Sequence, residues 1–282
     1  MTQAFVHLNV HTEFSLVDGI VRIPSLVTAA ADSHMPAVAI TDQGNLFGMV
    51  KFYKEALQAG VKPLVGAELR VEDPDAPEGH SRCVALCRDS TGYISLTRLI
   101  SRSYLEGQQG DRPVVRRDWL REDHAGLILL SGGRDGDVGR ALVQGHEARA
   151  RDKLAFWRDL ADADYYLELQ RCGRPGDEDH VHRAVALAAE ADLPVVATNA
   201  VRFLNADDFE AHEARVCIHE GRTLDDSRRP RVFAPEQYLR TPEEMAELFA
   251  DIPEALANTV EIARRCNLEL TLDKDYLPDF PI

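Results

Sequence analysis

The sequence predicts an α/β fold, a distorted seven-stranded (β/α)7 barrel followed by a helical C-terminal extension. Three observations carry that prediction. Short apolar runs of strand length recur through the first two hundred residues, and helical patterns separate them. This alternation is the signature of βα units and a parallel sheet. The runs themselves are nearly continuous, as in Leu127-Ile128-Leu129-Leu130 and Val195-Val196-Ala197. Such runs suit strands buried on both faces rather than on one. At 282 residues, 45% of them hydrophobic, the chain is long enough to enclose a large core.

The expected strands are residues 5–10, 37–41, 63–66, 83–87, 126–131, 165–170 and 194–198. Seven runs favour a barrel over an open sheet. The helices between them announce themselves locally. One over 24–33 begins with Pro24, favoured in a first turn because its missing N–H has no intrahelical partner to lose. One over 46–58 is amphipathic and stops at Gly60; another over 92–105 stops at Gly107. Longer ones are expected at 147–160 and 177–191. The stretch 73–79, rich in Pro, Asp and Gly, reads as an exposed loop. After residue 205 only helices are expected, over 206–218, from Thr241 to about 250, and over 253–266. Thr241-Pro242-Glu243-Glu244 has the pattern of a capping box, and Asp251–Glu254 is read the same way. The boundaries are 1–205 for the barrel and 206–282 for the extension. The apolar, uncapped ending at 277–282 reads as a cut at a domain boundary.

Charge and cysteine usage narrow the function classes. The formal net charge is −15, which argues against this segment being the main grip on duplex DNA, since such modules carry a basic face. Arg228, Arg229 and Arg231 form a local basic patch, read as a solvated loop. The five cysteines, Cys83, Cys87, Cys172, Cys217 and Cys266, are odd in number and lack CxxC spacing, so a reduced, cytoplasmic protein is expected. Cys83 and Cys87 are spaced to share one strand face. Residues 1–10 do not read as a signal peptide, and no apolar stretch is long enough to cross a membrane.

In (β/α) barrels chemistry gathers at the C-terminal ends of the strands. That rule collects His7 to His11 with Asp18 and Gly19 behind them, Thr41 to Asn45, Gly66 to Glu68, Ser131 to Gly133, Gln170 to Gly173, and Thr198 to Arg202. His11, Asp18 and Glu68 are donor types for hard or borderline divalent ions. Each also has a plainer reading: His11 as a hydrogen-bonded barrel histidine, Asp18 as a turn residue beside Gly19, Glu68 as half of a salt bridge. His7 is expected to face the other side of its strand. Cys172 is a lone thiol without metal-binding partners.

The runs His-Leu-Asn-Val-His-Thr-Glu-Phe-Ser-Leu-Val-Asp-Gly, Thr-Asp-Gln-Gly-Asn-Leu-Phe-Gly and Ile-Leu-Leu-Ser-Gly-Gly, with Asn-Ala-Val-Arg-Phe, Thr-Leu-Asp-Asp and Leu-Phe-Ala-Asp-Ile-Pro-Glu-Ala, resemble the PHP (polymerase and histidinol phosphatase) domain at the N-terminus of bacterial replicative DNA polymerase III alpha subunits. The resemblance spans essentially the whole chain. It implies a site that in metal-binding members holds up to three divalent ions on nine mostly histidine ligands. Laid on those positions, this sequence has Asn9, His11, Asp18, Gln43, Glu68, Arg82, Gly133, Ala200 and Arg202. Only His11, Asp18 and Glu68 remain strong ligands, and arginine brings a permanent positive charge where a cation would sit. Glu68 is expected to pair with Arg82 or Arg202 in place of an ion.

The resemblance therefore implies a catalytically inactive module with no catalytic residue and no metal or cofactor of its own. It also implies a parent that polymerises DNA as a nucleotidyltransferase, using magnesium and carboxylates beyond residue 282. The implied partners are the proofreading exonuclease subunit, docked on this module, the rest of the alpha chain, the sliding clamp and the clamp loader, with DNA held mainly elsewhere and no membrane. The competing reading is a residual metal-dependent phosphoesterase, a 3′–5′ exonuclease or pyrophosphatase, on His11, Asp18 and Glu68. A stand-alone histidinol-phosphatase-like enzyme would need the missing histidines.

Overall fold

A computed structural model describes residues 4–110, 112–272 and 274. The strands are β1 (Ala37–Ile40), β2 (Lys62–Glu72), β3 (His80–Cys87), β4 (Gln108–Gln109), β5 (Arg112–Pro113), β6 (Leu127–Leu130), β7 (Tyr165–Gln170) and β8 (Val195–Thr198). Six of them form one curled sheet in the order β1-β2-β3-β6-β7-β8, and β4 with β5 makes a separate two-stranded ribbon.

Two expectations about the sheet are corrected. The first concerns direction. β1 and β2 are parallel, as are β6, β7 and β8, but β3 runs antiparallel to both β2 and β6. The connection between β2 and β3 is a short loop with no helix, and a parallel pair needs a crossover of a dozen or more residues. The second concerns residues 5–10, which form no regular strand. Val10 makes an isolated bridge to Val201, while Ala39 N donates to His7 O and Thr41 N to Val10 O. The segment thus lies between β1 and the end of β8. Its own N–H groups at Val6 and Val10 donate to the side chains Thr259 Oγ1 and Thr41 Oγ1, which replaces a backbone ladder. The period of two also breaks there. Leu8 joins the inner apolar cluster, and its neighbour Asn9 reaches Glu168 inside the barrel.

Alternation along the strands sorts the interior into two layers. Leu64, Val84, Leu86, Ile128, Leu130, Tyr166 and Val196 pack together on the inner face. Residues of the same parity nearer the strand ends are Glu68, Glu168, Gln170 and Thr198, and they are polar and buried. Because β3 runs the other way, its N-terminal Arg82 arrives at the same end as the C-terminal ends of the parallel strands. The outer faces, including Ala67, Leu69, Cys83, Cys87, Leu129 and Leu167, bury against the surrounding helices, so the sheet is covered on both sides.

The helices start where local chemistry places them. Ser90–Glu106 is capped by Asp89, whose carboxylate accepts from Thr91 N and Gly92 N. Pro242–Leu248 carries the capping box between Thr241 and Glu244. Pro253–Arg265 does not follow that pattern: Asp251 is no cap, and Arg171 instead takes both its oxygens at 2.6 and 2.8 Å. The loop after β2 is only partly exposed, since Asp73 is buried and holds Lys153 Nζ at 2.6 Å. The short helices Arg117–Glu122 and Asp137–Val143 and the β4–β5 ribbon have no counterpart in the sequence reading. All five cysteines are free and buried. Residues 277–282, read as a cut end, lie outside the described residues. Among the described residues no helix is long and apolar enough to cross a membrane.

Candidate functional site

The polar layer at the strand ends converges on a buried cluster of charge. His11 Nδ1 lies 2.7 Å from Asp18 Oδ1, and its Nε2 lies 3.6 Å from Glu68 Oε2. Arg202, 1% exposed, sits between the two carboxylates. Its Nε is 3.3 Å from Asp18 Oδ2, its Nη2 is 3.5 Å from Glu68 Oε2, and its Nη1 donates to Asn9 Oδ1 at 3.3 Å. Arg82 comes in from the rim and places Nη1 3.1 Å from Glu68 Oε1. Gln43 Nε2 donates to that same oxygen at 3.3 Å. Ser15 Oγ donates to Asp18 Oδ1 at 2.9 Å.

Seven of the nine positions thus behave as one network or touch it: Asn9, His11, Asp18, Gln43, Glu68, Arg82 and Arg202. The other two contribute backbone. Ala200 is held at φ +45° and its carbonyl accepts from Gln237 Nε2. Gly133 is at φ +56°, and a Cβ there would lie 2.8 Å from Gln170 Cδ. A cysteine or histidine at this position would have to displace Gln170. Glu68 is mid-strand in β2 rather than at its end, level with the residues that follow β1.

The titration shifts follow from this packing. Burial pushes both carboxyls up, yet the neighbouring cations outweigh it: His11 and Arg202 hold Asp18 far below the usual carboxylate range, and Arg82, His11 and Arg202 do the same for Glu68. Burial and Arg202 push the His11 imidazole down, but Asp18 and Glu68 prevail and its pKa is raised. Glu68 likewise raises Arg82, against burial. The cluster is therefore a set of mutually neutralising ions.

These residues do not fit a divalent ion. Both oxygens of Glu68 and both of Asp18 already face cations or donors, and His11 Nδ1 is committed to Asp18. An incoming metal would meet the Arg202 guanidinium, which cannot deprotonate. Among the described residues no group of three or more His, Cys, Asp or Glu side chains is placed to hold a metal ion.

Other residues fall outside the cluster. His7 turns away and its Nε2 bonds Arg240 O at 2.8 Å. Cys172 contacts Asn199 O, and burial pushes its thiol up to about 12. Arg229 is not solvated but ion-paired with Glu213, whereas Arg228 is exposed beside Asp226. Glu168 is the residue that sequence reading missed. It is fully buried and accepts at Oε1 from Asn9, Gln170 and Thr198. Burial raises its pKa against those donors. A glutamate inside the otherwise apolar run Tyr165-Tyr166-Leu167-Glu168-Leu169 was the available signal.

A curled, mostly parallel sheet with helices outside and a polar cluster at its strand ends defines an α/β-barrel type of protein. The PHP domain family model matches residues 7–172, and the chain belongs to the PHP domain family. It is 53% identical over 281 residues to DNA polymerase III subunit alpha of Pseudomonas aeruginosa, covering all of this chain and 24% of that one. It is 52% identical over 277 residues to DNA polymerase III subunit alpha of Escherichia coli, covering 98% of this chain and 24% of that one. The chain thus spans about a quarter of the length of the curated relatives it matches. An amidohydrolase structure from Chromobacterium violaceum shares the fold, with a TM-score of 0.50 and 14% identity over 75% of this chain and 97% of that one.

Proposed function

We propose that this chain is the PHP module of a replicative DNA polymerase III alpha subunit, and that its metal site is a relic turned into a structural ion cluster. The observation that carries this reading is Arg202, whose guanidinium lies within 3.3 Å of Asp18 and 3.5 Å of Glu68. A permanent cation holds the place between the remaining acidic ligands. The relic positions are Asn9, His11, Asp18, Gln43, Glu68, Arg82, Gly133, Ala200 and Arg202. In this reading the module, a barrel over 1–205 and a helical extension over 206–282, does no chemistry. It supports the polymerase and offers a platform to the proofreading exonuclease subunit. The parent polymerises DNA in the cytoplasm with magnesium bound elsewhere, in a replicase that also contains the sliding clamp and clamp loader. The acidic balance suits protein docking better than gripping DNA.

The test has two parts. The metal content of the purified protein is measured by elemental mass spectrometry after dialysis against zinc and manganese, with His11→Ala alongside. Less than a tenth of an equivalent that depends on His11 supports the relic. A stoichiometric ion lost in His11→Ala overturns it and favours the phosphoesterase reading. Co-purification with the exonuclease subunit, measured separately, decides the platform role.

A further inference from the structure

Beside the ion cluster the barrel mouth opens into a cavity of about 560 Å³, within the size range of small-ligand sites, roughly 300–1,000 Å³. Arg70, Arg82, Arg112, Arg140 and Arg222 line it, against the acids Asp18, Glu78 and Glu220. Most of this charge is spoken for. Asp18 belongs to His11 and Arg202, and Arg82 to Glu68. Arg140 pairs with Glu78 at 3.0 Å, and Arg222 lies 3.7 Å from Glu220.

Arg70 is different. It stands directly opposite Arg82 in the antiparallel pairing of β2 with β3. Like charges facing each other across two strands are destabilising. Arg70 Nη2 donates to the neutral Gln43 Oε1 at 2.5 Å, and among the described residues no carboxylate comes within ion-pair distance of it. His80 adds a second signal. It lines the same cavity at 7% exposure, and neither ring nitrogen has a hydrogen-bond partner among the described residues. Burial, Arg70, Arg112 and Arg140 hold its pKa down to about 4. Near neutral pH the imidazole thus carries one unused N–H donor beside the guanidinium of Arg70.

We propose that this cleft is a metal-independent binding site for a small polyanion, a di- or triphosphate group, with Arg70 and His80 as its central donors and Arg112 at its rim. A guanidinium fork matches phosphate oxygens without help from a metal. A bound polyanion supplies the counter-charge that Arg70 lacks and a partner for the idle imidazole. No bond is made or broken in this site. The ligand class extends to any compound bearing linked phosphates, nucleotides included.

The full-length protein is titrated calorimetrically with tripolyphosphate in EDTA at low salt, so that metal-dependent triphosphate sites stay silent. The expected result is one saturable site, weakened roughly tenfold or more in Arg70→Gln, and weakened several-fold in Arg112→Gln. Arg112 is exposed on the β5 edge, so its variant is not exposed to a folding failure in the way Arg70→Gln is. Affinity falls as sodium chloride rises. Equal isotherms for wild type and both variants overturn the proposal, and so does binding that appears only with added divalent ion. A short single-stranded oligonucleotide titrated in parallel separates the sources: an Arg70-dependent site for the oligonucleotide but not for tripolyphosphate assigns the cleft to a nucleic-acid backbone and overturns the small-anion reading.

Discussion

Arg202 has exchanged its hydration for two carboxylates and an amide, and the arrangement holds only while all parties are present. Arg202→Met leaves Asp18 and Glu68 buried without their shared cation. The expected cost is about 3–5 kcal/mol, the usual penalty for breaking a buried ion cluster from one side, read as a shift of the urea unfolding transition. Adding Glu68→Gln to that variant should cost less than the sum of the two single changes, because the second substitution removes the charge that the first left stranded. An additive double variant would show that the two side chains do not interact.

The pH response belongs to the same scale. Asp18 and Glu68 have folded pKa values below their unfolded ones. Their contribution to stability is complete above the unfolded value near 4 and drains away as the pH falls further through the folded values. His7 and His180 are held down to about 4, chiefly by burial. Between about pH 6.5 and 4 the unfolded chain therefore takes up protons that the folded chain refuses, and stability falls as the pH drops. His11, raised instead, works in the opposite sense and gives up its contribution as the pH rises through its folded value. The urea midpoint should decline from pH 6.5 to 4, and His7→Gln should reduce that slope; an unchanged slope in the variant removes His7 from this account. His11, Asp18 and Glu68 are conspicuous in the sequence because they follow the apolar runs that read as strands. Arg70 is not, because its weight depends on which side chains face it across the barrel.

At the scale of elements, caps and turns were readable and pairings were not. Thr241→Ala removes a hydroxyl that accepts from Glu244 N, and should cost about 1 kcal/mol in thermal unfolding. Asp251 offered the same local pattern, yet the bidentate grip of Arg171, eighty positions away, took it. Local propensity cannot anticipate a partner that distant. Gly133 is at φ +56° with Gln170 against the place of its missing Cβ. Gly133→Ala should therefore destabilise by about 1–3 kcal/mol, with hydrogen exchange speeding up first in Asp137–Val143, the helix that this turn leads into.

At the scale of the molecule, the beginning and end of the described chain hold each other. The helix Pro253–Arg265 supplies Thr259 Oγ1 to Val6 N and Asn258 Nδ2 to Val195 O, while Lys62 Nζ bonds Ala263 O at 2.7 Å. The irregular first segment thus depends on a helix some 250 residues later for its hydrogen bonds. Thr259→Val keeps the shape but strands a buried N–H, with an expected cost of about 1–3 kcal/mol. The Val6 amide should lose most protection in hydrogen exchange. Protection equal to wild type would mean that this closure does not rest on Thr259.

By itself the sequence determined the α/β alternation, the positions of most helices, the double-sided burial of the strands, and the presence of arginines among polar strand-end residues. These properties are local: they follow from periodicity, capping and residue type within a few turns. Only the tertiary structure decided that β3 runs antiparallel, that Arg82 therefore enters the mouth from the start of a strand, and that Arg202 settles between Asp18 and Glu68. Strand direction is set by connection length and by which edge is free. Ion pairs act over a few ångströms between residues that the chain separates by as many as 184 positions, from Asp18 to Arg202, so their partners are chosen by the fold.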